Sequence, residues 1–524
     1  MRCGVPNIDL KMQQVIFAVV FVVAGFLIIS LYNLLVIKPK KIREILKQQG
    51  IDGPKHKILL GNSLEIKKSI QEAKKAMIDN KPKNPPVIHN AASVFPFIEK
   101  WRKHYGPVFT FSLGKCQILC VTCPEFAKEI TRLTSMDLGR PSFMQEEQRP
   151  LLGRSIINSN GPLWARQRKI MAPEFYTDKV KGMMSIITES ALELINSWKH
   201  EIETSEEEIV DISVIEHMKR FSGDIISRAC FGSSYSKGEE IFLKLGALRQ
   251  LMAERVLSAV IPGLRLLPTK SNRKIWALEK EICGLILKVV KEREKAGGEK
   301  DLLQMLLEGA KTCDLRSDAI DQFMVDNCRG IYLAGFSTTA MAASWCLMLL
   351  ASNPEWQNSV RDEVNETCHG RVPDIDMLRK MKQLHMVIQE TLRLYPVAPM
   401  LPREPLKDMK IGNVKVPKGV NIWVMMANLN TDVAIWGPDA FEFKPQRFQN
   451  GIADASNNLN CYLPFGSGQR VCIGQQLAMV ELKLLISLIV STFSFTLSPK
   501  YTHSPVMRTI IEPEHGVNLL IRKL

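Results

Sequence analysis

From Met12 to Ile37 the chain carries no charged residue, and Val15 to Ile37 is an almost unbroken apolar run. A helix of ~20 such residues spans the hydrocarbon core of a bilayer. The apolar core of a cleaved secretory signal is shorter, ~7–15 residues, and a buried core helix is less continuous; no convincing small-residue cleavage site follows the run. The run therefore predicts a retained transmembrane anchor. Arg2, Asp9 and Lys11 precede it, whereas Lys38, Lys40, Lys41, Arg43 and Lys47 follow it. By the positive-inside bias the remainder lies on the cytosolic side. The expected organisation is a short lumenal tail (1–11), a single-pass anchor (12–37), a basic stalk and entry segment (38–95) and one large domain (96–524).

The whole chain has an ordinary globular composition: with 524 residues, 46% of them apolar and 23% charged, it can bury a large core. No internal repeat or low-complexity linker divides it. Apolar residues recur at three- and four-residue spacing over 178–202, 239–261 and 317–352, which predicts helices, while strand signals are short and cluster near 108–122, 409–424 and the C-terminus. The fold class expected is mostly α with small peripheral β-sheets.

The twelve cysteines show no regular framework, as in a protein whose thiols stay reduced. Cys116, Cys120 and Cys123 include a CxxC, but no second pair stands at zinc-ligand spacing and the surroundings read as a β-hairpin, so buried strand cysteines are expected there. The net charge of +15 is spread among acids, without an arginine-rich tail or nucleic-acid motif. It suits an anionic membrane surface and an acidic protein partner, not nucleic acid.

One cysteine stands apart, in "FGSGQRVCIG" (465–474). A dinucleotide-binding GxGxxG counted from Gly466 would need glycine where Val471 stands. A nucleophilic cysteine would want a histidine or a helix N-terminus as activator; a helical pattern begins just after Cys472, but no histidine is near in sequence. The third reading is a thiolate metal ligand in a loop whose glycines allow close approach to a flat cofactor. Backbone amides and the helix N-terminus would stabilise the sulfur, and Arg470 would neutralise a cofactor carboxylate.

Phe465, Gly468, Arg470, Cys472 and Gly474 match F-x-x-G-x-R-x-C-x-G, and on them the chain resembles the haem-thiolate monooxygenases, the cytochrome P-450 superfamily. The resemblance implies haem b, with Cys472 as the axial iron ligand whose thiolate favours O–O cleavage. It extends to three further stretches. Glu390 and Arg393 in "ETLR" read by themselves as an ordinary i,i+3 ion pair; the resemblance makes them a structural lock completed by Arg447 in "FKPQRF". Gln446 stands where that loop usually has an acid, so a local salt bridge is expected to be missing. Trp164 and Arg168 in "WARQR" read either as part of a basic amphipathic helix or, by resemblance, as a haem-propionate contact completed by Arg403 and Arg470.

"AGFSTT" interrupts an apolar helix with poor helix formers. By itself it reads as a kink or tight helix packing. The resemblance makes Ala334, Gly335, Thr338 and Thr339 an oxygen-binding groove in which Thr338 guides protons. Ser337 stands where the family has Asp or Glu; a hydroxyl relays a proton but does not store one at neutral pH.

Segments 139–184 and 325–357 are most similar to the plant gibberellin-oxidising branch. That implies an endoplasmic-reticulum monooxygenase receiving electrons from NADPH through a separate membrane-bound flavoprotein reductase. Its substrate would be a hydrophobic terpenoid drawn from the surrounding lipid, a gibberellin or a diterpenoid acid such as ent-kaurenoic acid. Alternatives are another plant hormone or a triterpenoid acid, a haem-binding protein with degraded oxygen activation, and a thiol hydrolase built on Cys472. By the same resemblance, residues 142–153, Phe336 and 396–401 would line the pocket, whose Leu, Met, Val and Phe suit a rigid hydrocarbon. Arg149 and Arg154 are open to two readings, substrate-carboxylate partners or solvated loop arginines, and are not assigned. The only N-x-S/T sequon, Asn365-Glu366-Thr367, should stay unmodified in a cytosolic body. A mass shift on endoglycosidase treatment of the expressed protein would reverse the orientation.

Overall fold

The structure, a computed structural model, describes residues 7–79, 91–232, 235–253, 263–296, 301–312, 316–456 and 461–524. The first part of the tail (1–6), the proline-rich stretch at 80–87 and the end of the helical pattern at 254–261 lie outside them. The apolar run is helical over Asn7–Tyr32, passes through a π turn at Asn33–Ile37 and continues as Lys38–Lys47. The π turn falls directly before Pro39, whose missing N–H interrupts the helical ladder. Two other helices, Ser317–Ser352 and Gln475–Thr492, are long and apolar enough to cross a membrane, but 78% and 56% of their apolar windows are buried in the body, against none for the N-terminal helix. A single membrane anchor is the arrangement this supports.

The residues after the anchor pack onto the body. Leu46 is fully buried in a cluster with Leu119, Ile422 and Trp436. Thr110 N donates to Asp52 O at 2.9 Å, and Asn62 N to Ser112 O at 2.7 Å. These contacts tie the segment to the first β-hairpin.

Ser317–Ser352 is apolar on nearly every side, which a helix tolerates only inside a protein. It is buried almost continuously from Phe323 to Ala351, and Val214–Phe231 lies along it. At their crossing a Cβ on Gly335 would stand 2.2 Å from Ile226 Cδ1. Close packing therefore requires glycine at this position, as the unaided reading of "AGFSTT" offered. The helical pattern at 178–202 is broken at Met183, between Thr177–Gly182 and Met184–Thr204.

The main sheet gathers distant segments. Val108–Leu113 and Cys116–Val121 form an antiparallel hairpin, the second of them pairs in parallel with Asn421–Val424, and this strand pairs antiparallel with Leu401–Pro405 and so reaches Leu138–Gly139. Cys120 is buried on its strand, and no metal-binding cluster of His, Cys, Asp or Glu occurs among the described residues. The C-terminal strand Asn518–Lys523 joins Val210–Ser213 to Phe493–Leu497. The fold is mostly helical with small sheets, as periodicity predicts.

Gly335→Ala should destabilise the body by about 1–3 kcal/mol through overpacking. Combined with Ile226→Ala it should cost less than the sum of the two single changes in chemical denaturation. Strict additivity would mean that the crossing is not what requires the glycine.

Candidate active site

The loop carrying Cys472 is shaped by its glycines. Gly466 and Gly468 adopt left-handed φ of +70° and +67°, which side chains resist, and a Cβ on Gly468 would stand 2.9 Å from Thr131 O. Cys472 N donates to Phe465 O at 2.9 Å, closing the loop, and the helix Gln475–Thr492 starts immediately after Gly474. A Cβ on Gly474 would stand 4.0 Å from Cys472 Sγ, an ordinary contact, so space by itself does not demand glycine there. Cys472 opens onto a cavity of about 880 Å³. The protein around it raises its thiol pKa by desolvation, while the Gly474 N–H and the Arg168 charge act in the opposite direction.

Six arginines line the same cavity, and four of them, Arg140, Arg168, Arg403 and Arg470, lie close enough to repel one another. Arg470 lies over the Trp164 ring at 4.5 Å and Arg168 at 5.9 Å. Arg168 donates to Val471 O at 2.8 Å, Arg470 to Ser159 O at 3.0 Å and Asn160 Oδ1 at 2.7 Å, and Arg403 to Pro402 O at 2.9 Å. Arg140 donates to Asn158 and Gln148. All these acceptors are neutral, and none of the four makes a salt bridge among the described residues. Burial depresses Arg470 to about 9, with Arg403, Arg140 and Arg168 adding repulsion; burial likewise brings Arg140 and Arg403 to about 10. Such a cluster calls for a multiply charged anion. Arg140 escaped the sequence reading because it belongs to none of its motifs.

The AGFSTT hydroxyls divide their roles. Ser337 donates to Leu333 O and Thr338 to Ala334 O, each at 2.7 Å. Both line the cavity with Ala334, Gly335 and Thr339. Thr339 hydrogen-bonds Glu481, a fully buried carboxyl on the cavity wall that desolvation pushes up to about 8. Glu481 was also missed in the sequence, since its burial is a property of the packing. Phe336 does not join the cavity: it stacks on Phe242 with centroids 4.5 Å apart. Phe143, Leu152, Val397 and Met400 from the other expected segments do line it, whereas Arg149 and Arg154 are exposed and do not.

Behind the site, Glu390 and Arg393 are completely buried. Arg393 uses all five donors: two on Glu390 at 2.6 and 2.7 Å, and one each on the carbonyls of Asn430, Ala440 and Glu442. Arg447 Nε reaches Glu390 at 3.3 Å. Arg447 Nη2 also pairs with Asp439 Oδ1 at 2.7 Å, which gives the loop arginine a second carboxylate partner, and Gln446 makes no ion pair among the described residues.

The cytochrome P450 family profile matches residues 85–521. The chain belongs to the cytochrome P450 family. This P450 is 46% identical over 500 residues to cytochrome P450 714C2 of Oryza sativa subsp. japonica, covering 94% of this chain and 95% of that one. It is 43% identical to cytochrome P450 714B3 of Zea mays over 502 residues (95% and 94% covered) and to cytochrome P450 714A2 of Arabidopsis thaliana over 498 residues (93% and 94%). It is a P450 monooxygenase, and the family implies haem-thiolate iron, a redox partner and a hydrophobic substrate. The residues present fit haem: a thiol in a glycine-opened loop, and four arginines with only neutral partners for its two carboxylates.

Glu481 gives a pH test. Its folded pKa lies above the value of ~4.3 expected for an unfolded glutamate, so the folded state holds the proton longer and stability falls as pH rises between about 4.5 and 8. Glu481→Gln removes that slope. In denaturation curves the variant should gain on the wild type as pH rises through this window, by up to about 1.4 kcal/mol per pH unit. A constant difference would contradict a buried neutral carboxyl.

Proposed function

We propose that this P450 inserts one oxygen atom of O2 into a C–H bond of a hydrophobic terpenoid, a gibberellin or a diterpenoid acid such as ent-kaurenoic acid. The observation that carries the chemistry is the single cavity onto which Cys472 and the four arginines with neutral partners converge. Cys472 is the iron ligand in this reading, and Arg140, Arg168, Arg403 and Arg470, with Trp164, hold the propionates. Bound haem supplies O2 activation and one-electron chemistry.

The chain's own residues do the rest. The Phe465–Gly474 loop holds the sulfur at the start of a helix, whose dipole favours its anion. The Thr338 hydroxyl gives its hydrogen to Ala334 O and keeps its lone pairs as acceptors for a water in the cavity; it would relay a proton by taking one from that water as its own hydrogen leaves Ala334 O for the next acceptor. Ser337, buried and bonded to Leu333 O, passes protons less readily than the usual acid, which supports slow or leaky coupling. Glu390, Arg393 and Arg447 hold the loop's supporting wall and touch no substrate.

Support for the terpenoid comes from the apolar wall of Leu152, Val397 and Met400, which suits a rigid hydrocarbon, and from the likeness of segments 139–184 and 325–357 to gibberellin-oxidising enzymes. The anchor and the basic flank after it support an endoplasmic-reticulum location with the body cytosolic. The basic excess supports docking of an acidic flavoprotein reductase that draws on NADPH. Ser337 at the acid position favours one second reading, a haem-binding protein with degraded oxygen activation.

The deciding experiment is the reduced, CO-bound difference spectrum of the full-length protein beside Cys472→Ser, followed by NADPH-driven turnover of diterpenoid acids with a reductase. A strongly red-shifted Soret band lost in the variant, with oxidised product formed, is expected. Folded, haem-loaded protein without that band would remove Cys472 as ligand. The band without product from any terpenoid would favour the second reading.

A further inference from the structure

We infer that the cavity contains a second anion site, formed by Arg508 and Arg249 on either side of Glu512, which selects substrates bearing a carboxylate. The inference rests on the proposed terpenoid monooxygenation and names the contact that orients the substrate. Arg508 lies at the tip of the hairpin formed by Pro505–Met507 and Ile511–Pro513, and Arg249 on the helix Tyr235–Ala253. Both line the same cavity as Cys472. The hairpin is held in place, since Ile511 N donates to Val397 O at 3.1 Å and Trp345 Nε1 to Ile511 O at 3.4 Å.

Glu512 is buried, and its two oxygens are divided between the arginines: Oε1 takes Arg249, and Oε2 takes Arg508 Nη1 at 3.2 Å. One carboxylate between two guanidiniums leaves a unit of positive charge beside a wall that includes Phe97, Val506 and Ile510. Lys74, on the same cavity, adds nothing to this excess because Glu514 accepts from its Nζ at 2.8 and 3.0 Å. Among the described residues the Arg508 guanidinium spends only one N–H on the protein, and the rest of its planar fork matches a carboxylate. The arginines around Cys472 are committed to the cofactor in the proposed function, so this pair is the one free to read the substrate. A terpenoid acid would rest its carboxylate on the hairpin tip, and its hydrocarbon would fill the cavity alongside Cys472.

The test uses the full-length, haem-loaded protein with ent-kaurenoic acid, a pentacyclic triterpenoid acid and the methyl ester of each. Binding is read by equilibrium dialysis and by the Soret shift, and the reduced CO band shows that each variant has folded. The wild type should prefer acid to ester about tenfold, the scale of one charge-assisted contact. Arg508→Gln should bring the ratio close to one, and Arg508→Lys should retain part of it. Equal binding of acid and ester on every skeleton, or an unchanged ratio in Arg508→Gln, overturns the site. Acid preference on the triterpenoid skeleton alone supports the site while removing the diterpenoid reading. Equal binding of acid and ester on both skeletons, with ent-kaurenoic acid still oxidised, keeps the diterpenoid reading while overturning the site.

Discussion

The geometry of the catalytic wall depends on a guanidinium that never meets substrate. Arg393 has no exposed surface, and each of its five donors has an acceptor. Losing one partner of such a buried pair leaves an uncompensated charge, a loss of about 3–5 kcal/mol, although a well-packed apolar replacement of the whole group is often tolerated. What the ionic version adds is direction. Its bonds to Asn430, Ala440 and Glu442 fix three points of the meander that leads to the Cys472 loop. Tyr462 then ties the chain back to Gln389 O at 2.8 Å, three residues before Phe465.

On this frame the cavity collects charges from parts of the chain that are far apart. Arg140 follows the short edge strand, Arg168 lies in the helix Gly161–Met171, Arg403 in a central strand and Arg470 in the cysteine loop. Mutual repulsion and burial make this cluster unfavourable by itself, as the depression of Arg470 records. A protein retains such an arrangement when a bound anion offsets it. Glu481 is the opposite case: a carboxyl in a dry environment that keeps its proton and is bonded to Thr339.

Much of this was legible in the sequence because it is local. The anchor, the helix over 317–352, the cysteine loop and the E-x-x-R pair are patterns within a few turns of chain, and periodicity or spacing reveals them. The rest is created by contact between distant segments. Asp439 pairs with Arg447 from eight residues before it, a position no motif includes. Arg249 and Arg508 meet over Glu512 only because the C-terminal hairpin folds back on a helix in the middle of the chain. Gly335 carried both a packing and a cofactor reading, and its approach to Ile226 shows that any larger residue would have to displace that side chain. The strands Leu138–Gly139 and Val210–Ser213 are too short to announce themselves and exist because a partner strand arrives from elsewhere in the chain.

The continuity of the N-terminal helix from Met12 to Lys47, with Leu46 buried in the body, has a mechanical consequence. A flexible tether would leave the body free to roll about its point of attachment. A helix whose last turn is pinned to the body through Leu46 instead couples the tilt of its apolar segment to the body.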